Sequence, residues 1–285
     1  MIIAIASGKG GTGKTTIACN LAAGLEKPVT LLDCDVEQPN AHLFLQPRWT
    51  GSELFHLDVP EIDAERCSLC GACQELCQFN AIAILPEIAM TFPELCHSCR
   101  GCALVCQEEA IGWSKRLVGE VRWGCRGMVS LVEGRLRVGE AMAPPLIEQV
   151  RKHQGLEGEL TLIDAPPGTS CPVVASLWGA DFALLVTEPT PFGLNDLELA
   201  VGAVRKLGLP MGLVINRCDI GDRRVHRFAE QQGIPILLEM PFDKKTAEAY
   251  ARGSLLVEVL PQWKEAMVQL YEKILETLRS WKAAC

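Results

Sequence analysis

The apolar run Met1 to Ala6 passes directly into Ser7-Gly8-Lys9-Gly10-Gly11-Thr12-Gly13-Lys14-Thr15-Thr16. Few features constrain a fold as tightly as a glycine loop at the end of a short apolar run. Without Cβ atoms, successive backbone N–H groups can converge on a phosphate. The spacing G-x4-G-K-T places Lys14 to reach the β and γ phosphates of ATP and Thr15 to ligate Mg2+. The positive end of the helix that begins there adds to the attraction. Gly8, Lys9, Gly10, Gly11, Thr12, Gly13, Lys14, Thr15 and Thr16 are therefore the candidate phosphate-binding residues.

Short apolar runs alternate with helical patterns along most of the chain, which predicts an α/β fold with a parallel sheet and helices on both faces. The expected strands are Ile2 to Ala6, Val29 to Leu32, Leu160 to Ile163, Phe182 to Thr187, Met211 to Ile215 and Ile234 to Leu238. The expected helices are Thr15 to Leu25, Pro144 to His153, Gly193 to Leu207, Asp222 to Gln232 and Pro261 to Trp281. In the last helix, Trp263, Met267, Leu270, Tyr271, Ile274, Leu278 and Trp281 share one stripe. Leu117 to Val138 reads as a hairpin that turns at Gly134.

Gly8-Lys9-Gly10-Gly11-Thr12-Gly13-Lys14-Thr15 resembles the deviant Walker A loop of the MinD, ParA, Mrp and nitrogenase iron-protein class of P-loop ATPases. The resemblance implies a nucleotide-dependent homodimer or paralogue heterodimer in which Lys9 reaches across to the partner's nucleotide. Lys9, Lys14 and Asp35 are then the catalytic candidates. Leu31-Leu32-Asp33-Cys34-Asp35 looks like switch I, with Asp35 orienting or deprotonating the attacking water and Asn40 close behind. Leu162-Ile163-Asp164-Ala165-Pro166-Pro167-Gly168-Thr169 looks like switch II, with Asp164 joining Thr15 at Mg2+. Asn216 and Arg217 look like the base-recognition motif, and Met240-Pro241-Phe242-Asp243 would close the adenine pocket.

Eight of the fourteen cysteines form two C-x2-C-x2-C-x3-C runs offset by 29 residues: Cys67, Cys70, Cys73, Cys77 and Cys96, Cys99, Cys102, Cys106. The repeat extends beyond them, since Cys77-Gln78-Phe79-Asn80-Ala81-Ile82 answers Cys106-Gln107-Glu108-Glu109-Ala110-Ile111. Such runs suit iron–sulfur ligation better than zinc, whose sites usually pair two C-x2-C knuckles. They resemble bacterial ferredoxins, which implies two [4Fe-4S] clusters. By that resemblance Cys67, Cys70, Cys73 and Cys106 would hold one, and Cys96, Cys99, Cys102 and Cys77 the other. Gln78 and Gln107 depart from the pattern, because proline commonly follows the fourth cysteine. The expected organisation is an ATPase domain over residues 1–59 and 115–285 with an inserted ferredoxin-like 2[4Fe-4S] domain over 60–114.

Six cysteines lie outside the repeats: Cys19, Cys34, Cys125, Cys171, Cys218 and Cys285. Cys171 follows Asp164 by the offset of the dimer-bridging cluster cysteine in the nitrogenase iron protein; a buried structural cysteine is the alternative. A formal charge of −8 argues against a nucleic-acid partner, and Arg223, Arg224, His226 and Arg227 read as a solvated helix face. No apolar stretch approaches the 18 or so residues of a membrane span. The mixed charges of Glu272, Lys273, Glu276 and Arg279 favour core packing of the last helix over membrane binding. With no export signal recognised at Met1-Ile-Ile-Ala-Ile-Ala, the cysteines are read as metal ligands or buried small hydrophobes, and a cytoplasmic location is the expectation. The leading functional expectation is a dimeric Mg-ATP-dependent ATPase that couples nucleotide state to electron delivery to, or metal-cluster assembly on, a redox or metal-cofactor partner. The alternative is a MinD-like spatial-positioning or cell-division ATPase with redox-sensing clusters.

Overall fold

The computed structural model describes residues 1–154 and 160–284; Cys285 lies outside them. Its strands, in chain order, are β1 (Ile2–Ala6), β2 (Val29–Asp33), β3 (Arg48–Ile62), β4 (Ile82–Ile84), β5 (Ala89–Thr91), β6 (Ile111–Arg126), β7 (Val129–Leu136), β8 (Leu160–Asp164), β9 (Phe182–Thr187), β10 (Met211–Asn216) and β11 (Ile236–Met240). The chain divides into two compact units: Met1–Ser52, Val121–Arg135 and Pro144–Cys285 form the first, Glu53–Glu120 and Leu136–Ala143 the second.

The main sheet has the order β11-β10-β9-β1-β8-β2-β7-β6-β3. β1, β2, β7, β8, β9, β10 and β11 pair in parallel with their neighbours in this set. β6 and β7 are joined only by Gly127 and Met128, a connection short enough for antiparallel strands alone. The sheet is therefore mixed, which corrects the expectation of a parallel one. The hairpin turns at Gly127–Met128 rather than at Gly134, which lies inside β7. There a Cβ would come within 2.7 Å of methyls of Val36 and Val150, so Gly134 answers a packing need and not a turn.

The long strands β3 and β6 each contribute residues to both units; β3 and the part of β6 before Leu117 escaped sequence reading because they are mostly exposed or half-buried and lack a clean apolar alternation. β2, β8 and β9 are buried throughout, as strands covered on both faces must be. Ile17 and Leu21 of the helix Lys14–Gly24 join the core with Trp263, Met267, Leu270, Ile274 and Leu278 of the helix Pro261–Ala284. The apolar stripe of that last helix is thus spent inside the unit, although Trp281 at its end is 40% exposed.

In the second unit the 29-residue repeat is carried into the backbone. Left-handed φ angles recur at Leu69 and Ser98, Gly71 and Arg100, and Asn80 and Glu109. The amides of Ala81 and Ala110 each donate to a cysteine sulfur four residues back, Cys77 and Cys106, both at 3.3 Å. β4 and β5 form an antiparallel pair, and the buried apolar cluster is small, comprising Val59, Ala81 and Cys96 with Cys77 against it.

Candidate nucleotide site

Strand β1 ends in the glycine loop, and the helix Lys14–Gly24 starts at its far side with Gly13 as N-cap. Gly13 has φ +99°, and a Cβ there would meet Nδ2 of Asn216 at 2.7 Å, so both backbone conformation and close approach require glycine. Nδ2 of Asn216 donates to the Thr12 carbonyl at 2.9 Å, and its Oδ1 accepts from the Arg217 amide at 2.9 Å. Both ends of this amide are thereby engaged, and its Nδ2 ties the end of β10 to the loop.

A cavity of about 350 Å³ opens beside the loop. Gly10, Gly11, Gly13, Lys14, Thr15 and Thr16 line one part of it, with Asp35, Gln38, Asn40 and Pro167 alongside. Asn216, Arg217, Met240, Pro241, Phe242 and Asp243 line another, with Thr246, Ala247 and Tyr250. Gly8 and Lys9 precede these lining residues in the loop, and Thr12 contributes the carbonyl that Asn216 holds. Sequence reading missed Gln38, Thr246, Ala247 and Tyr250. For the last three the available signal was Asp243, which caps the helix Lys244–Ala251 by accepting from the Lys245 amide.

The electrostatics of the phosphate end are dominated by three carboxylates around one ammonium. Asp33 and Asp164 stand opposite each other at the ends of the parallel neighbours β2 and β8, and both are fully buried. The Thr15 hydroxyl donates to Oδ2 of Asp164 at 2.5 Å, while Oδ1 of Asp164 is buried with no hydrogen-bond partner. Burial first, and Asp35 nearby, push the Asp164 carboxyl up to about 7, against the opposing pull of Thr15 and Lys14. Burial and the Asp164 charge likewise raise Asp33 well above the usual range. Its Oδ2 accepts the amides of Asn40 and Ala41, each at 3.0 Å, so Asp33 staples the loop carrying Asp35 and Asn40. Burial raises Asp35 as well, with Lys14 pulling the other way. Lys14 is itself lowered by burial, which outweighs the three carboxylates.

An orphaned buried carboxylate oxygen next to a hydroxyl, on a loop of converging amides, fits Mg2+ bound to a nucleotide. Mg2+ takes one or two protein oxygens and completes its shell with phosphates and water. Thr15 and Asp164 are the residues that would hold it.

A second ion-pair group borders the loop. Glu188, directly after β9, pairs through Oε2 with Lys9 at 3.7 Å and through Oε1 with Arg217 at 3.1 Å. Nothing in the local sequence marked Glu188, because its partners come from distant segments.

The eight repeat cysteines gather in the two sets of four that the sequence suggested, but not as a metal centre. Cys67, Cys70, Cys73 and Cys106 line one small cavity, and Cys77, Cys96, Cys99 and Cys102 line another. Yet among the described residues no group of three or more His, Cys, Asp or Glu side chains is placed to hold a metal ion. Within each repeat the thiols diverge in environment: Cys73 and Cys96 are buried while Cys70 and Cys99 are exposed. Spacing along a chain sets which thiols can approach, whereas ligation needs sulfurs converging on one point. The two [4Fe-4S] clusters, the inserted ferredoxin-like domain and the electron-delivery or cluster-assembly function built on them are corrected accordingly. His97 stacks on Phe79 with centroids 3.6 Å apart. Cys171 is exposed at the start of the helix Cys171–Leu177, not buried. Arg224 pairs with Asp222 and His226 with Glu239, which neutralises part of the basic cluster.

A strand, glycine loop and helix carrying Lys14 and Thr15, with carboxylates at the neighbouring strand ends, define a P-loop ATPase. The chain belongs to the CobQ/CobB/MinD/ParA nucleotide-binding domain family, whose model matches residues 3–257. An uncharacterized protein of Methanocaldococcus jannaschii is 32% identical over 280 residues, covering 97% of each chain. The iron-sulfur cluster carrier protein of Pyrococcus horikoshii is 26% identical over 314 residues, covering 98% of this chain and 87% of its own. Among solved structures, the cell division ATPase MinD of Pyrococcus furiosus superposes with a TM-score of 0.60 at 24% identity, covering 96% of this chain and 98% of that one. Among the described residues no helix is long and apolar enough to cross a membrane.

Proposed function

We propose that the chain is a Mg-ATP-dependent ATPase of the MinD/ParA type that pairs with a second copy when ATP is bound and separates after hydrolysis. The observation that carries this reading is the orphaned Oδ1 of Asp164, whose other oxygen accepts the Thr15 hydroxyl and whose charge is felt by Lys14 and Asp35. Bound Mg2+ would withdraw charge from the β and γ phosphates. Around it, the loop amides orient the phosphates, Lys14 neutralises charge on the transferring group, and Asp35 positions the attacking water. The raised proton affinity of Asp35 suits it to take a proton from that water. Lys9, whose side chain is 32% exposed, is the residue assigned to reach across to the second copy, and its exposure supports that reading. The fold likeness to MinD supports a positioning role, in which the ATP-bound pair holds a partner and hydrolysis lets it go.

Lys14→Ala should lose ATP binding outright, whereas Asp35→Ala should bind ATP with near-normal affinity and turn over roughly 100-fold more slowly. Calorimetry and phosphate release separate the two, and equal loss of binding in both variants would remove Asp35 from its assigned role. Lys9→Ala should bind ATP yet remain monomeric by sedimentation with a non-hydrolysable analogue.

A further inference from the structure

Glu188 reaches two cations of the nucleotide-handling segments, Lys9 on the phosphate loop and Arg217 beside the base end of the cavity. The anion is fixed and enclosed. Its side chain is 10% exposed, and its backbone carbonyl accepts the Thr190 amide at 2.8 Å, immediately before the helix Pro191–Lys206 that Thr190 caps. The cations are the movable partners. Lys9 sits on a glycine loop with its side chain 32% exposed, and Arg217, 49% exposed, occupies left-handed backbone at φ +52°. Neither contact is closed: the Lys9 pair spans 3.7 Å, and Oε1 of Glu188 accepts no aligned hydrogen bond although Arg217 lies at 3.1 Å. A buried carboxylate needs a cation, but contacts this loose can be exchanged for others.

We propose that Glu188 is a positioning residue that latches Lys9 within its own protomer, and that pairing of two ATP-bound copies requires Lys9 to leave it. Arg217 makes the exchange possible, because it stays as counter-ion when Lys9 departs and spares the chain an unpaired buried charge. Glu188 thus raises the threshold for association without touching the nucleotide. The proposal rests on the reading of Lys9 as the residue that crosses to a second copy, and the test separates the two.

Two measurements are made on the full chain. Trace acetylation read by mass spectrometry reports the reactivity of Lys9 without nucleotide, and sedimentation reports the protein concentration at half-association with a non-hydrolysable ATP analogue and Mg2+. Glu188→Gln, which keeps the shape and removes the charge, should raise Lys9 labelling several-fold and lower the association midpoint by about three- to tenfold. Glu188→Asp, which keeps the charge but draws it back, should fall between. The lower association midpoint is a gain that a variant merely damaged in folding, whose Lys9 labelling would also rise, would not show. Unchanged Lys9 labelling, or a midpoint equal to or above that of the wild type, overturns the latch. A wild-type chain that stays monomeric with the analogue while its Lys9 labelling still depends on Glu188 would fault the pairing reading and uphold the ion-pair hold itself.

Discussion

Asp164 is the residue on which the metal-free site is most strained. Unfolded, it titrates near 3.8; folded, it is pushed up to about 7 by burial and by neighbouring negative charge. Between those values the folded protein holds a proton that the unfolded chain lacks. Stability without metal therefore falls as pH rises through that window, and Asp33 acts in the same direction. Asp164→Asn removes the titration while keeping the shape. In metal-free melts its Tm should exceed that of the wild type increasingly from pH 5 to pH 8, by a few degrees per pH unit near pH 6, and Mg2+ should no longer stabilise the nucleotide complex. A constant difference across that range would mean the carboxyl is ionised throughout. Asp164, Lys14 and Thr15 were legible in sequence because a phosphate loop and a strand-end carboxylate are local devices, complete within a few residues. Glu188 and Tyr250 were not, because tertiary approach alone brings them to the loop and the cavity.

At the scale of elements, the difference between β7 and its reading from sequence comes down to one glycine with two uses. Glycine commonly marks a turn, yet Gly134 is buried in mid-strand, where Val36 and Val150 leave no room for a Cβ. Gly134→Ala should therefore cost about 1–3 kcal/mol by overpacking, measured as a lower denaturation midpoint with an unchanged slope. Val150→Ala in the same chain should recover part of that loss, since it vacates one of the two 2.7 Å contacts. Strict additivity of the two losses would show that the methyl is accommodated elsewhere. The central strands and major helices were readable because their burial is continuous or strongly periodic. β3 and the first part of β6, before Leu117, were not, since sparse burial leaves little apolar pattern. The cysteine repeat illustrates the complementary limit. Its period was visible, recurs in the backbone φ angles and gathers the cysteines at two cavities, but lining a common cavity does not by itself place thiols to hold a metal ion.

For the whole molecule, the two units differ in what holds them. The first buries a continuous core from Ile3 and Leu31 through Leu162 and Phe182 to Ile274. The second gathers Val59, Ala81 and Cys96 into a small cluster, with Ile82, Ala110 and Val118 also buried, and it encloses an ion pair: Arg116, 6% exposed, meets Glu140 at 2.6 Å and the Cys96 carbonyl at 3.2 Å. Removing one partner of such a pair leaves an uncompensated charge, so it orders the unit without supplying the area-driven stability of a large core. Local opening free energies follow buried apolar contact. Native-state hydrogen exchange should therefore show the amides of the helix Ala72–Leu76 and of β4 and β5 opening together, at a free energy well below that of β1, β8 and β9. Arg116→Met, an apolar replacement of similar length, should shift only the lower set, because Glu140 and the Cys96 carbonyl lose their cation while the main core is untouched. If both sets exchange at one common free energy, or if Arg116→Met lowers both equally, the two units unfold as one and the small core is being held by more than its own contacts.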